Sequence, residues 1–532
     1  MSTKRIINHI QSFEKMKTVC FLIFLILTST LSFAQHRRPV KQDTINPAKG
    51  NSEKQLKRIR QKKIRLHSDS TGSQPLKSVL IDSTIQNRYG DLLNDDTLFN
   101  KKAPLWRGAT EILSADVISW GVSRFIFNKD VSRITFKSWK TNLTSGWEWD
   151  NKRFGNNFIG QPYAGALFFN AGRSSGYNYY QSFPCAVAGS LIWEYLGENT
   201  LPAYNDIINT PVSGAFLGEI LYRLSSNVLD DRTRGANRVF REIGAAVINP
   251  KRAFNRLVTG KMFRRSNKEV YQKEPVNFSF YTGLRQLNNE TEPMFGRSTY
   301  SALANLQIDY GNPFEIRSRK AFDFFKLRAD VNFGVGRKII DNVIGYGILF
   351  GKNKQLGKMD ILIGGFQYYD YWDSKIFELG TIGFGGGIIS KLSINKTSNL
   401  YTKIHLAGVP FSGNNTRFGP DTSQVRDYNY GGGLEGKFES TLNINKYATA
   451  SMIYYVYWIS TYVGIKGNNF VHIIKPRITI RLYKMLSIGF ECNFYYNDRY
   501  SADFPPTHLV RTEQKAFLLL YFEDKQRRGQ YN

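Results

Sequence analysis

The nine residues Phe325-Lys326-Leu327-Arg328-Ala329-Asp330-Val331-Asn332-Phe333 alternate apolar with charged or amide side chains. A strand turns successive side chains to opposite faces, so such a run has one greasy face and one charged face. The pattern recurs at Ile474, Pro476, Ile478, Ile480 and Leu482 against Lys475, Arg477, Thr479 and Arg481. It recurs again at Leu486, Ile488, Phe490, Cys492 and Phe494 against Ser487, Glu491 and Asn493. Long strands of this kind, rich in Tyr and Phe, favour a transmembrane antiparallel β-barrel with lipid outside and a polar lumen inside. The expected strands are 276–287, 300–310, 322–334, 342–351, 358–368, 376–390, 399–407, 430–442, 446–459, 470–482, 485–496 and 514–523. That is about 12, an even number, which puts both barrel termini on one side. The connections 408–429 and 497–513 read as long extracellular loops, and 443–445 and 483–484 as tight periplasmic turns. Connection 311–321 is longer than a periplasmic turn should be.

The aromatic share of 14% suits interfacial girdles. No mature stretch holds an uninterrupted apolar run long enough for a helical span. The net charge of +29 is spread over a linker, loops and polar strand faces. It reads as attraction to anionic lipid or lipopolysaccharide rather than to nucleic acid, for which no reading motif is present. The three cysteines form no disulfide framework. Cys492 belongs to the apolar face of its strand.

In chain order, residues 1–34 end in a secretory signal peptide, with the basic Lys17, an apolar run and Ser32-Phe33-Ala34 before the cleavage point. Met16 is an alternative start. Residues 35–104 are polar and carry too few apolar side chains for a core, which predicts a flexible periplasmic tether able to dock a partner through 36–104. Residues 105–265 predict an α-helical domain, with helices at 106–127, 182–197 and 210–229. Thr210 suits the cap of the last helix and Pro211 its first turn. Gly214 and Gly218 would let another backbone approach. This domain would pack on the barrel or plug it, so the N-terminal region is expected in the periplasm or inside the barrel.

Chemistry, if present, is expected where acidic groups interrupt these helices, because an unpaired buried charge is costly. Glu194, Asp206, Asn209 and Glu219 are the candidates, expected to converge on one polar cluster between two helices. Arg173, Arg223 and Arg241 are the expected counter-charges. Buried ion pairs that merely hold the domain together are the plainer alternative. His405 alternates with Lys403 and should face the lumen, with no partner serine identifiable. No zinc spacing or phosphate-cradling loop occurs, so no metal and no cofactor is expected. On the barrel, Phe490→Arg is expected to cost roughly 2–4 kcal/mol at the lipid face, and Asn493→Arg to be tolerated in a polar lumen.

The segments 160–198, 205–226 and 241–257, with Trp193-Glu194, Asn205-Asp206, Gly218-Glu219 and Asn249-Pro250, resemble an uncharacterised family of Gram-negative envelope proteins. That resemblance implies a domain of unknown function ahead of an outer-membrane-type barrel. It brings no established activity. The resemblance implies that members often carry His where this chain has Gln161, so a catalytic or metal role that relatives rest on that histidine is not expected here. Three function classes stay open: a structural or transport-related envelope protein, a membrane-embedded lipid-modifying hydrolase or acyl transferase, and an envelope interaction module.

Overall fold

The computed structural model describes residues 102–150, 154–267, 269–289, 292, 294–334, 339–374, 376–415, 428–445 and 447–523. The expected signal peptide (1–34) and nearly all of the expected tether (35–104) lie outside the described residues. Residues 121–129, one wide helical turn (Val122–Ile126) and an irregular tail, form part of a separate compact unit. All that follows concerns the other unit.

Twelve antiparallel strands close into a barrel: β1 Val276–Asn288, β2 Ser298–Tyr310, β3 Phe325–Phe333, β4 Ile340–Leu356, β5 Met359–Asp373, β6 Glu378–Ser393, β7 Asn399–Asn415, β8 Tyr428–Ile444, β9 Ala448–Val463, β10 Gly467–Tyr483, β11 Leu486–Ser501 and β12 Thr507–Phe522. Each strand pairs with its sequence neighbours, and β1 pairs with β12, Gly283 opposite Phe517. No edge is left unpaired, which is what a spanning sheet needs. No helix among the described residues is long and apolar enough to cross a membrane.

The alternation located all twelve strands, but two of the expected long loops are shorter. β7 continues through Pro410 to Asn415, with the register shifting between Val409 and Ser412. Proline is accommodated at such bulges, so it did not end the strand. The connection expected over 497–513 shrinks to 502–506, because Asp498 still pairs with His508 and Arg499 with Thr507. These rim residues are polar on both faces, so backbone pairing persists where the apolar signal has faded. The connection after β2 is long, as expected, and folds back onto the structure: Phe322 is fully buried.

The two barrel faces are told apart by contacts that only an interior allows. Lys326 on β3 bonds Glu439 on β8 at 2.9 Å, and Tyr457 on β9 bonds Asp370 on β5 at 2.7 Å. The register then places Tyr346, opposite Lys326, inward, and Leu327, Gly345, Gly347 and Tyr369 outward. On the free part of the outer face stand Leu284, Leu406, Ile478, Ile488, Phe490 and Leu518, all exposed. Greasy outside and charged within is the arrangement of a barrel in a bilayer. Asn493 does face inward, but it is fully buried and donates to Glu513 at 2.6 Å and to Tyr495 at 3.2 Å. The lumen is filled there, so the expectation that Asn493→Arg is tolerated does not hold: an arginine has no room.

The helical domain comprises α1 Leu105–Gly121, α2 Phe136–Thr144, α3 Gln161–Ser174, α4 Tyr179–Ile192, α5 Tyr204–Val228, α6 Gly235–Ile248 and α7 Pro250–Val258. Its long member, α5, has 25 residues, about 37 Å at 1.5 Å per residue. Thr210 and Pro211 lie inside α5, not at its start. Proline leaves the Ile207 carbonyl without its helical donor. The preceding turn is nevertheless held helical, because Asn205, Asp206 and Asn209 are all buried in hydrogen bonds. Gly214 meets Gly165 of α3 so closely that a Cβ on either would overlap the other helix's backbone.

The domain does not plug the barrel. Phe216 of α5 stacks on Tyr369 and edges onto Phe322, and its ring would lie 2.8 Å from a Cβ at Gly345. Phe158 fits over Gly380 and Gly413 in the same way. Tyr369, Gly345, Gly380 and Gly413 all belong to the outward register. Small residues on the wall thus form sockets for aromatic knobs, and the helices cover the outside of β4–β8.

Candidate functional site

Two polar constellations result, where one was expected. The first lies between α5 and the outer wall. Asp150 Oδ1 accepts from Asn205 Nδ2 at 2.8 Å, Asn157 Nδ2 at 3.0 Å and the Tyr430 hydroxyl at 3.1 Å. Asn205 Nδ2 also reaches Asp206 Oδ1 at 2.7 Å. Asn209 donates to the Asn157 carbonyl and accepts from Ser213 Oγ at 3.0 Å. Tyr428 joins through Asn157 and, at 3.0 Å, through Tyr430. Asp206 and Asn209 therefore do share a cluster with Asn205 and Ser213 of the same helix, and its remaining members come from the 146–158 segment and from β8. All are buried in a face that would otherwise meet lipid, where leaving them unpaired would be expensive.

Glu219 lies elsewhere, thirteen residues farther along α5 and so about 20 Å away. Arg173 clasps it through Nε at 2.7 Å and Nη2 at 3.1 Å, and Arg223 adds Nε at 2.8 Å. Arg223 continues to Asp323, at 3.2 Å, in the connection after β2. Burial works against the Arg223 charge, but the Glu219 and Asp323 carboxylates outweigh it and raise its proton affinity above the ordinary arginine value. Arg173 and Arg252 both lie over the Tyr222 ring, at 4.1 and 4.0 Å. Here two of the three expected counter-charges are in place. Arg241 is not one of them: it bonds Asn237 and the Val228 carbonyl.

Glu194 stands in the wide helical turn Trp193–Gly197 that follows α4. It is buried and accepts from the Ala203 backbone at 2.9 Å, fastening the end of α4 to the start of α5. The four candidates therefore do not converge, although none faces solvent. The physical reason is helical geometry: thirteen residues along one helix separate Asp206 from Glu219.

His405 faces the lumen. Its Nδ1 lies 2.8 Å from the Tyr368 hydroxyl, and the rings of Tyr346 and Phe366 pack on it at 4.8 and 5.0 Å. That is a wedged polar side chain with a phenol for a neighbour, not a base against a serine.

Two features were missed in the sequence. One is the wall contribution of Tyr428 and Tyr430, which lies 271 and 273 positions from Asn157 and leaves no local signal. The other is Asp116 on α1, which is buried with neither carboxylate oxygen hydrogen-bonded. Burial pushes its pKa up to about 8, against the opposing pull of Lys251. A signal was available there, since Asp116 stands four residues after Ile112 on the face that packs inward.

Residues 146–251 match the family model described as Domain of unknown function (DUF3943). The closed barrel follows them, which is the arrangement that the motif resemblance implied. None of the curated proteins matches the chain. Among solved structures, the outer membrane channel DcaP of Acinetobacter baumannii is 8% identical, covering 46% of this chain and 97% of its own, with a TM-score of 0.22. The NanC porin is 9% identical over 46% and 99%, with a TM-score of 0.27. An anion-selective porin from Comamonas acidovorans is 9% identical over 46% and 99%, at 0.21. The barrel assignment rests on the strand pairing above and takes nothing from these scores.

Proposed function

We propose that this is an outer-membrane barrel with a structural or transport-related envelope role, closed across its lumen at rest, whose working surface is the outer wall that carries the helical domain. The observation that carries this reading is the set of ion pairs filling the lumen, of which Lys326–Glu439, Lys437–Asp370 and Lys515–Asp330 join strands that are not neighbours in the sheet. Glu439 takes Lys326 at 2.9 Å and Lys403 at 3.2 Å; Asp370 takes Lys437 at 2.7 Å; Lys515 reaches Asp330, Glu491 and Glu513 at 3.5 to 3.6 Å. Arg477 Nε bonds Glu491 at 2.6 Å. All of these side chains are buried or nearly so. A barrel of this strand number can be filled by its own side chains, and here they meet across it. Purified protein in a planar bilayer should show no steady ohmic conductance at neutral pH. A stable open level in the unmodified protein would end this reading.

The barrel ends are expected to face the periplasm, with the tether 36–104 reaching a periplasmic partner. The long 416–427 connection would then be extracellular and 445–447 periplasmic. Asn415→Cys should label with an impermeant maleimide on whole cells and Asn445→Cys should not; the reverse pattern would invert the protein. Lipid or lipopolysaccharide is the proposed outer partner. Lys137 and Lys140 stand exposed on α2 beside Phe136 and Leu143, near the tilted stack of Trp147, Tyr204, Trp149 and Tyr430. Cationic side chains with aromatic neighbours suit the headgroup region.

A second reading, a lipid-modifying enzyme, is favoured by the buried cluster of Asp150, Asn157, Asp206 and Asn209 against the wall. Asp206→Asn keeps the shape and removes the charge. On the enzymatic reading, the variant inserts and folds normally yet loses its effect on envelope lipid composition. An unchanged lipid profile between wild type and variant would remove that reading.

A further inference from the structure

The α6–α7 hairpin is built the wrong way round for water. On α6, Val239, Phe240, Ile243 and Val247 recur at helical spacing and are exposed, Phe240 by 73% and Val247 by 79%. On α7, Phe254 and Val258 continue the same surface, and Phe263 follows. The charged side chains turn inward instead. Arg238 pairs with Asp231 at 2.9 Å and Glu242 at 2.8 Å, Arg256 pairs with Glu242 at 2.8 Å, and Arg264 pairs with Asp231 at 2.6 Å. A surface helix in water shows the opposite arrangement.

We propose that this apolar face lies in the hydrocarbon of the leaflet at the end where the chain enters the barrel, as a membrane anchor continuous with the lipid-facing wall. This rests on the reading above that the barrel sits in a bilayer. Continuity argues for lipid as the occupant. Ala245 of α6 packs with Leu229, Val270 and Tyr271, and β1 begins at Val276 with Phe278 and Phe280 on its outer face. The hairpin is thus tied to the wall within a few residues of the first strand. Its rim is basic: Arg232, Arg234 and Arg265 are exposed beside the apolar face. Long cationic side chains at that level reach anionic headgroups while the stems stay in the apolar layer. The pattern of charge inside and grease outside suits an apolar surrounding, and β1, which begins five residues after Tyr271, turns its outer face to one. Helices that lie in an interface in this way are held by buried apolar area plus headgroup attraction.

The test places single cysteines at Phe240, Val247, Phe490 and Lys396, in full-length protein with Cys20, Cys185 and Cys492 changed to serine. Each is labelled with an environment-sensitive fluorophore after folding into vesicles of phosphatidylethanolamine and phosphatidylglycerol containing doxyl-labelled lipid. Phe490 reports the barrel wall and Lys396 an exposed turn. Positions 240 and 247 are expected to emit blue-shifted light and to be quenched as strongly as position 490, with Lys396 unquenched. Emission at 240 and 247 like that at Lys396, with 490 still quenched, overturns the anchor and leaves the barrel reading standing. Blue-shifted but unquenched emission there also overturns it, by showing a protein surface such as a second copy in place of lipid. Loss of quenching at position 490 itself would instead count against the bilayer placement of the barrel.

Discussion

Glu439→Ala is expected to cost about 3–5 kcal/mol of barrel stability, the penalty of stripping one partner from a buried ion pair. Glu439 is the acceptor for two ammonium groups and for the Tyr455 hydroxyl, which donates at 2.6 Å. Its removal leaves Lys326 and Lys403 facing each other in the lumen with their shared counter-charge gone. Mutual repulsion adds to desolvation, and water entry is the route by which the barrel can relieve both. The variant should therefore unfold at lower urea in vesicles and show conductance in a planar bilayer where the parent is silent. A companion in which Lys326, Lys403 and Glu439 become Met, Met and Leu separates the two effects. Replacing a whole buried ion group with apolar side chains is often close to neutral, so the companion should regain stability and stay closed. An unchanged urea midpoint together with a silent bilayer for Glu439→Ala would show that the ion pairs do not seal the lumen.

Phe216→Ala is expected to loosen the helical domain while leaving the barrel intact. The ring is fully buried against Tyr369, Phe322 and the socket at Gly345. Truncating such a side chain costs about 3–5 kcal/mol. The loss falls on the contact between domain and wall, since the barrel ladder contains none of this residue. Heat-modifiable migration of the barrel on gels should be kept, and protease should now cut within α3–α5. Gly345→Val reaches the same contact from the wall side, because its Cβ would sit 2.8 Å from Phe216 Cζ. Equal protease resistance in wild type and both variants would mean that the domain is held by other contacts.

Why some of this was readable in the sequence and some was not follows from the range of each signal. Strand alternation is local. Phe325–Phe333 announced its two faces by itself, because lipid and lumen impose opposite chemistry on neighbouring residues. So all twelve strands were located. Their ends were misplaced where that contrast fades, at the polar rim around Asp498 and His508, and where Pro410 was absorbed by a bulge. Three helices, α1, α4 and α5, were legible too, but α2, α3, α6 and α7 were not expected, and neither was the start of α5. Thr210-Pro211 is a strong local starting signal, and it lost to the buried hydrogen bonds that Asn205 and Asn209 make with Asp150 and Asn157 of the 146–158 segment.

The candidate site shows the same division. That Asp206, Asn209, Glu194 and Glu219 would be buried and satisfied was a matter of desolvation cost, readable from their apolar neighbours. Which of them would meet was not readable. Helical rise separates Asp206 from Glu219, and the partners Tyr430 and Asp323 come from strand and connection residues far along the chain. The side of the wall taken by the helical domain was decided by tertiary structure alone. Apolar helices fit a lipid-facing wall and an empty lumen equally well by composition. Lys326, Glu439, Asp370 and Lys437 already fill the interior, whereas Gly345, Gly380 and Gly413 leave sockets outside, and the aromatic knobs could enter only there.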